Sequence, residues 1–474
     1  MKHRQDSNTS NNRRRRLALY SLPLAVALGF WAATPKVDLS TVMDVDWSKI
    51  DFTESEAVRI FQEYLRIDTS YPNGNEIRGA EFLAGILEKE GLEVHLERLG
   101  PRNANLWAEL PGRSPEALVL HNHIDVEPIE RPDRWSFPPF GGEIYGPFIF
   151  GRGAFDMKGV AVAQLMALLD LKRSGDTFEK SLIFLATGDE ERDSWLGTRR
   201  LLREHPEWQK KFWGVLTEGG AVEANTLETA RYWGTEFHQK RFVDVWVCDS
   251  DPQRLADLRS QLHNREMERR ILPSTRTFFK AFAESRDRVE AASLLRDPDT
   301  MLARIQSYPV DVGPTVVTPY TDHLMRTRIS AFPVEQVADG SYRFRAILHL
   351  NPDQEAEDVW DELIAADLEG FTYSVVDVHP PVEASPLDHE IFSRLDAFMD
   401  ERFPEIDHGP LIPPYVATDA RYFRQYGIPA YGFSPFLMLA ADANKMKGFD
   451  ERLPVPPFLD GVDLYQALVR RLIE

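Results

Sequence analysis

Cysteine is nearly absent: the 474 residues contain one, Cys248, so no disulfide can form within the chain. A core of this size needs none, which leaves an exported location open. No histidine stands beside Cys248, and a packed thiol is its expected role rather than a nucleophile. Positive charge is also in deficit. Lys and Arg number 55 against 75 Asp and Glu, a formal net charge of −20, which argues against a nucleic-acid-binding body because phosphate contacts call for a basic surface. Internal repeats and low-complexity tracts are missing. Long apolar runs are scarce, and the one that stands out, Leu17–Ala33, follows directly on the basic block Arg13–Arg16. It approaches the ~20 residues that a bilayer-crossing helix needs, and the arginines should stay cytoplasmic. Phe30 and Trp31 are bulky where a signal-peptidase site prefers small residues. The expectation is a basic cytoplasmic segment 1–16, a membrane-spanning signal anchor 17–34 and a linker 35–49. The body then lies outside the cytoplasm, periplasmic or extracellular/lumenal, and is secreted if the segment is cleaved.

What is present reads as a soluble globular protein of more than one domain, with 43% hydrophobic and 27% charged residues. Thr53 and Glu56 predict a capping box opening a helix with the stripe Ala57, Ile60, Phe61, Tyr64 and Leu65. A second helix is expected to end at Gly91. Strand-like runs at Leu92–Leu96, Asn105–Leu110, Ala117–His123, Ser181–Ala186 and Phe212–Leu216 alternate with helical stretches after Asp156 and near Ser194–Glu204. This predicts an α/β fold with a mainly parallel sheet flanked by helices. From about Arg231 the texture changes. Strands are expected at Arg241–Cys248, Tyr342–Leu350 and Phe371–Val378, with helices at Pro252–Leu262 and Ala356–Ala366, as in an inserted α+β domain. The α/β pattern resumes after Pro386, with helices at Glu390–Arg402 and Val462–Ile473. The expected boundaries are 50–230, 231–384 for the insert, and 385–474.

Chemistry-bearing residues fall just past the strand-like runs. His123 and Asp125, two apart, share a face, and a carboxylate beside a metal-bound imidazole fixes its tautomer. Asp156 sits in Gly151–Gly159, where a glycine-rich turn meets an apolar helical run, so it can approach and bridge two cations. Thr187–Glu191 ends in adjacent carboxylates. One of a pair such as Glu190 and Glu191 can ligate a metal while the other takes a proton from water. Glu218 follows the strand Phe212–Leu216. Each cluster alone reads as a solvated turn. Together they lie at the carboxyl edge, where open α/β sheets place ligand sites, and their donors suit zinc, cobalt or manganese.

Several ordered stretches carry a resemblance: His121–Pro128, Trp135–Phe140 with Gly151–Gly159, Thr187–Glu191, Glu218-Gly219-Gly220, Thr418–Arg421 and Asp450-Glu451-Arg452. From about Thr53 onward the chain resembles the aminoacylase and glutamate-carboxypeptidase family of co-catalytic zinc hydrolases. That family includes succinyl-diaminopimelate desuccinylase and carboxypeptidase S-like members. The resemblance implies a zinc-exopeptidase-like catalytic domain interrupted by a lid or dimerisation domain, with a homodimer through the lid. It implies His123 and Glu218 as ligands of one Zn2+, Asp156 as the bridge and Glu191 as ligand of a second. Asp125 would orient His123, Glu190 would be the general base, and Arg421 would bind the carboxylate of a small-molecule or peptide substrate. A salt bridge to a neighbouring carboxylate is the alternative for Arg421.

Two departures from that pattern stand out. Lys447 takes the place of the family's last histidine ligand, and no histidine follows His408. An ammonium has donors and no acceptor, so it cannot ligate a cation; it could replace the second metal's charge or hold an oxyanion. The lid's Gly-His-Ser-type motif is absent, leaving His238 and His349 as substitutes. The resulting expectation is a hydrolase of amide bonds in N-acyl amino acids or small peptides with one firmly bound metal. The alternative is a membrane-tethered, non-catalytic binding protein on the same scaffold.

Overall fold

Seven consecutive buried residues make Ala117–His123 an inner strand, as expected where helices cover both faces of a parallel sheet. The structure is a computed structural model that describes residues 50–474 except 73, 225, 227–228, 286–288, 308–318, 353, 355–366 and 414–415. The expected segments 1–16, 17–34 and 35–49 lie outside the described residues, as does the helix expected at Ala356–Ala366. Among the described residues, no helix is long and apolar enough to cross a membrane.

Among the described residues, the main sheet has nine strands. Ala117–His123 lies between Ser181–Thr187 and Phe212–Thr217 and runs parallel to both. Ala430–Gly432 extends the parallel set beside Phe212–Thr217. Asn103–Leu110 and Val94–Leu99 add antiparallel strands at one side. At the other side, Ala230–Glu236 pairs antiparallel with Ala430–Gly432 and parallel with Asp407–Leu411. His123, Thr187 and Thr217 therefore end on one edge of the sheet, and the loops after them converge.

Apolar helices cover the sheet. Gly159–Ser174 is buried around most of its circumference, and Val455–Ile473 packs beside it. The stripe expected on the first helix is buried as predicted, with Phe61 stacked on Phe458 at 4.7 Å between ring centroids. Its start differs. Asp51, not Thr53, does the capping: its carboxylate accepts the Thr53 N–H at 3.0 Å in a short turn Phe52–Glu54, and the α-helix opens at Glu56 without a side-chain cap. Gly91 ends the second helix as expected, at φ +73°, with the Leu92 N–H on the Leu87 carbonyl.

A second sheet orders Arg328–Ala331, Tyr342–Leu350, Arg241–Asp249 and Thr372–Val378. The helix Pro252–His263 covers one face of it, burying Leu255, Leu258 and Leu262 against Val243, Val245 and Val247. The expected insert 231–384 is not one packing unit. Ala230–Glu236 belongs to the main sheet. Helices Pro273–Glu284, Val289–Arg296, Pro298–Ser307 and Pro319–Met325 send Phe278, Phe279, Phe282, Leu295, Met301 and Met325 into the main core, not the lid core. Tyr232 meets Phe282 edge-on at 5.2 Å. Charge-rich stretches hid this stripe from the sequence pattern.

His408 lies on the main sheet's edge strand Asp407–Leu411. Burial opposes its charge, but Asp396 at 3.0 Å and Asp400 at 3.1 Å outweigh it and raise its pKa above the ordinary imidazole value. A raised folded pKa contributes stability below the unfolded value of ~6.5 that is lost as pH rises through the folded value. His408→Gln should therefore cost about 0.5–1 kcal/mol in urea unfolding at pH 5.5 and less at pH 8.5, the size of a partly screened pair.

Candidate metal centre and active site

The strand Ala117–His123 delivers a fully buried imidazole to the carboxyl edge of the sheet. His123 Nδ1 donates to the backbone carbonyl of Asp125 at 2.9 Å. Nε2 faces Asp156 Oδ1 at 3.2 Å and Glu218 Oε2 at 3.7 Å. The donors of His123, Asp156 and Glu218 all lie within 4.8 Å of one another. Because Nδ1 is committed as a donor, the neutral ring presents the Nε2 lone pair to the two carboxylates, as a metal ligand must. One imidazole and two carboxylates around a common point fit a divalent cation.

Asp125 departs from expectation. Its carboxylate stands 3.6 Å from His123 Nδ1 and instead accepts the backbone N–H groups of Glu190 at 3.0 Å and Glu191 at 2.9 Å. Backbone rather than side chain orients the imidazole, and the side chain fastens the next strand's acidic turn. Two loops are thereby locked together.

Asp156 reaches the cluster through the turn after Phe148–Phe150. Gly153 stands at φ +80°, and a Cβ there would lie 2.5 Å from Val126 Cγ1, so only glycine fits. Glu451 is a brace that sequence reasoning left without a role. Its Oε1 accepts from Phe155 N at 3.0 Å and Asp156 N at 3.3 Å, and its Oε2 pairs with Arg152 at 2.6 Å. Both side chains of that pair are buried; removing either would strand a charge at a cost of about 3–5 kcal/mol. The signal was the stretch Asp450-Glu451-Arg452, whose tertiary partner no spacing reveals.

Charge crowding sets the electrostatics. Burial raises Glu190 well above the ordinary carboxylate range, with Glu218 adding repulsion. Burial and Asp156 likewise raise Glu218, and burial raises Glu191. Asp156 goes the other way: burial opposes its ionisation, but Lys447 and His123 outweigh it. His123 is raised, because Glu218, Asp125 and Asp156 overcome its burial. Lys447 Nζ hydrogen-bonds Glu191 Oε2 and lies 3.3 Å from Asp156 Oδ2. Burial opposes its charge, yet Asp156, Glu191 and Glu190 hold it well above the ordinary lysine value. The ammonium thus sits on the two carboxylates expected to hold a second metal.

The remaining expected residues sort themselves differently. His121 turns to Thr217 Oγ1 at 2.8 Å and Thr198 Oγ1 at 2.9 Å, and burial lowers it to about 4, leaving it neutral. It ties the strand end at Thr217 to the helix that opens at Thr198, a use for Thr217 that the sequence did not suggest. Arg421, expected to bind substrate, is buried and engaged: it donates to Thr418 O at 2.8 Å and to Asp193 Oδ1 at 3.2 Å. The ion-pair alternative is the arrangement found. Asp193 also accepts from His379 Nε2 at 2.8 Å, joining the loop after Glu191 to the residue that follows the strand Thr372–Val378. His349 bonds Ser330 and packs on Phe242 within the lid. His238 is buried, and burial lowers it to about 3.

The profile of Peptidase family M20/M25/M40 matches residues 119–471. Aminoacylase-1 of Sus scrofa is 27% identical over 441 residues, which cover 88% of this chain and 96% of that protein. An M20 family metallo-carboxypeptidase from Sulfolobus solfataricus superposes with a TM-score of 0.68 at 16% identity, covering 88% of this chain and 99% of its own. Human carnosine dipeptidase 1 gives 0.68 at 15% identity over 90% of this chain and 98% of its own. The two solved structures support the mixed α/β architecture with a mainly parallel sheet.

Metal uptake should be proton-coupled. The raised His123 must lose its proton before Nε2 can ligate. The apparent affinity for Zn2+ should therefore fall as pH is lowered from 8 to 6, by about tenfold per unit for each proton displaced. Calorimetric titrations in buffers of different ionisation enthalpy will show proton release, and His123→Ala will abolish tight binding.

Proposed function

Since the chain belongs to Peptidase family M20/M25/M40, we propose that it is a metal-dependent hydrolase of amide bonds. Its proposed substrates are N-acyl amino acids or small peptides carrying a free carboxylate. The observation that carries this reading is the His123–Asp156–Glu218 cluster next to a buried Glu190 whose proton affinity is raised. The similarity to aminoacylase-1 and to the fold of a carnosine dipeptidase supports the substrate class. Zn2+ suits the donor set, with Co2+ or Mn2+ as substitutes. When bound, such an ion supplies Lewis-acid activation of water and of the scissile carbonyl.

The chain's own residues divide the remaining work. Glu190 takes a proton from the attacking water at its carboxylate and returns it to the leaving amine nitrogen. A base needs a proton affinity near the working pH, and burial with like charge moves a glutamate that way. Asp125 holds Glu190 and Glu191 by their backbone N–H groups, so the base cannot drift from the imidazole that shares the same hub. Glu451 fixes the backbone of Asp156.

The proposal extends to assembly and location. The lid strand Thr372–Val378 is an edge of its sheet, with Val375, Val376 and Val378 exposed by 45%, 52% and 39%. An edge of this kind supports pairing with a second copy. The arginine block and the run Leu17–Ala33 support a membrane tether with the body outside the cytoplasm.

Glu190→Gln should lower kcat on a panel of N-acyl amino acids and dipeptides by ~10²–10⁴ while metal content stays unchanged. Wild-type turnover no higher than this variant's would leave a non-catalytic binding protein. Val376→Lys should shift the chain to a monomer in light scattering with turnover retained; a wild-type monomer would remove the dimer.

A further inference from the structure

We propose that Lys447 is the built-in second cation of this centre, its ammonium standing where Asp156 and Glu191 would otherwise share a metal, so that the site works with one ion. The inference rests on the reading that His123, Asp156 and Glu218 hold a metal.

Asp156 divides its two oxygens. Oδ1 faces His123 Nε2 at 3.2 Å, and Oδ2 faces Lys447 Nζ at 3.3 Å. The carboxylate expected to bridge two metals thus lies between the imidazole on one side and an ammonium on the other. Lys447 Nζ also bonds Glu191 Oε2, an oxygen of the carboxylate expected to ligate a second ion. Among the described residues, His123, Asp156 and Glu218 bring their donor atoms within 4.8 Å of one another at this centre.

The lysine is held in place. Its backbone stands at φ +58°, a conformation side chains avoid. Buried Arg152 donates to the Lys447 carbonyl at 3.1 Å and the Gly448 carbonyl at 3.3 Å. Arg152 is in turn anchored by Glu451, the residue that braces Asp156. One buried ion pair thus positions both the bridging carboxylate and the ammonium.

Charge counting agrees. Asp156, Glu190, Glu191 and Glu218 are four carboxylates in one pocket. One divalent ion with one ammonium compensates most of that charge. A second divalent ion would have to expel the ammonium from both oxygens. An ammonium has three donors and no acceptor, so two can hold Glu191 and Asp156 while the third meets the carbonyl oxygen as it becomes an oxyanion.

The test is metal stoichiometry in the full-length chain, stripped with a chelator, reloaded with Zn2+ or Co2+, freed of excess metal and analysed by mass spectrometry. The wild type should hold one ion per chain, with one Co2+ absorption signature. Lys447→His should hold two. Lys447→Ala should take a second ion at least tenfold more weakly than the first, and thermal melting reports whether each variant is folded. Two ions in the wild type would overturn the inference and leave the hydrolase reading standing. A folded Lys447→His variant that stays at one ion would also overturn it. No ion in the wild type would overturn the metal reading, and the inference with it.

Discussion

Mutual repulsion among buried carboxylates is the constraint the rest of the structure serves. Asp156, Glu190, Glu191 and Glu218 crowd around one imidazole, an arrangement that would separate in water. A low-dielectric pocket makes like charges costly and opposite charges valuable. The fold answers with Lys447 on Asp156 and Glu191, with His123 on Asp156 and Glu218, and with raised proton affinity on Glu190. The raised proton affinity of Glu190 and the clustering of donors able to hold a cation are two consequences of the same crowding.

Rigidity makes that crowding affordable. Asp125 ties the His123 loop to the Glu190–Glu191 turn through two backbone hydrogen bonds. The strand Arg452–Pro454 pairs with Phe148–Phe150, which carries Glu451 and Lys447 to the Asp156 turn from nearly three hundred residues downstream. His121 links the strand ends at Thr187 and Thr217 and the helix start at Thr198 through threonine hydroxyls. Each of these is a buried polar contact in low dielectric, where a missing partner is costly, so small displacements are resisted.

The lid reaches this framework through Asp193. Its carboxylate, two residues past Glu191, meets His379, which follows the strand Thr372–Val378, and Arg421 from the catalytic core. Arg421 thereby links the Thr418 backbone to the loop after Glu191. The helices between residues 273 and 325 join the core beneath the main sheet's edge, so the insert is only partly a separate body.

How much of this was legible in the chain follows from the range of the forces involved. Local periodicity and composition determined the α/β class, the lid strands and the clusters at the strand ends, because side-chain direction repeats every two or 3.6 residues. They also marked His123, Asp156, Glu190, Glu191 and Glu218, since each follows a buried strand or glycine turn. Only tertiary structure decided which oxygen of Asp156 faces which cation, that Asp125 holds backbone rather than imidazole, and that Arg421 is spent on Asp193. These depend on distances between segments remote in sequence, and hydrogen bonds act over a few ångströms that spacing along a chain does not encode.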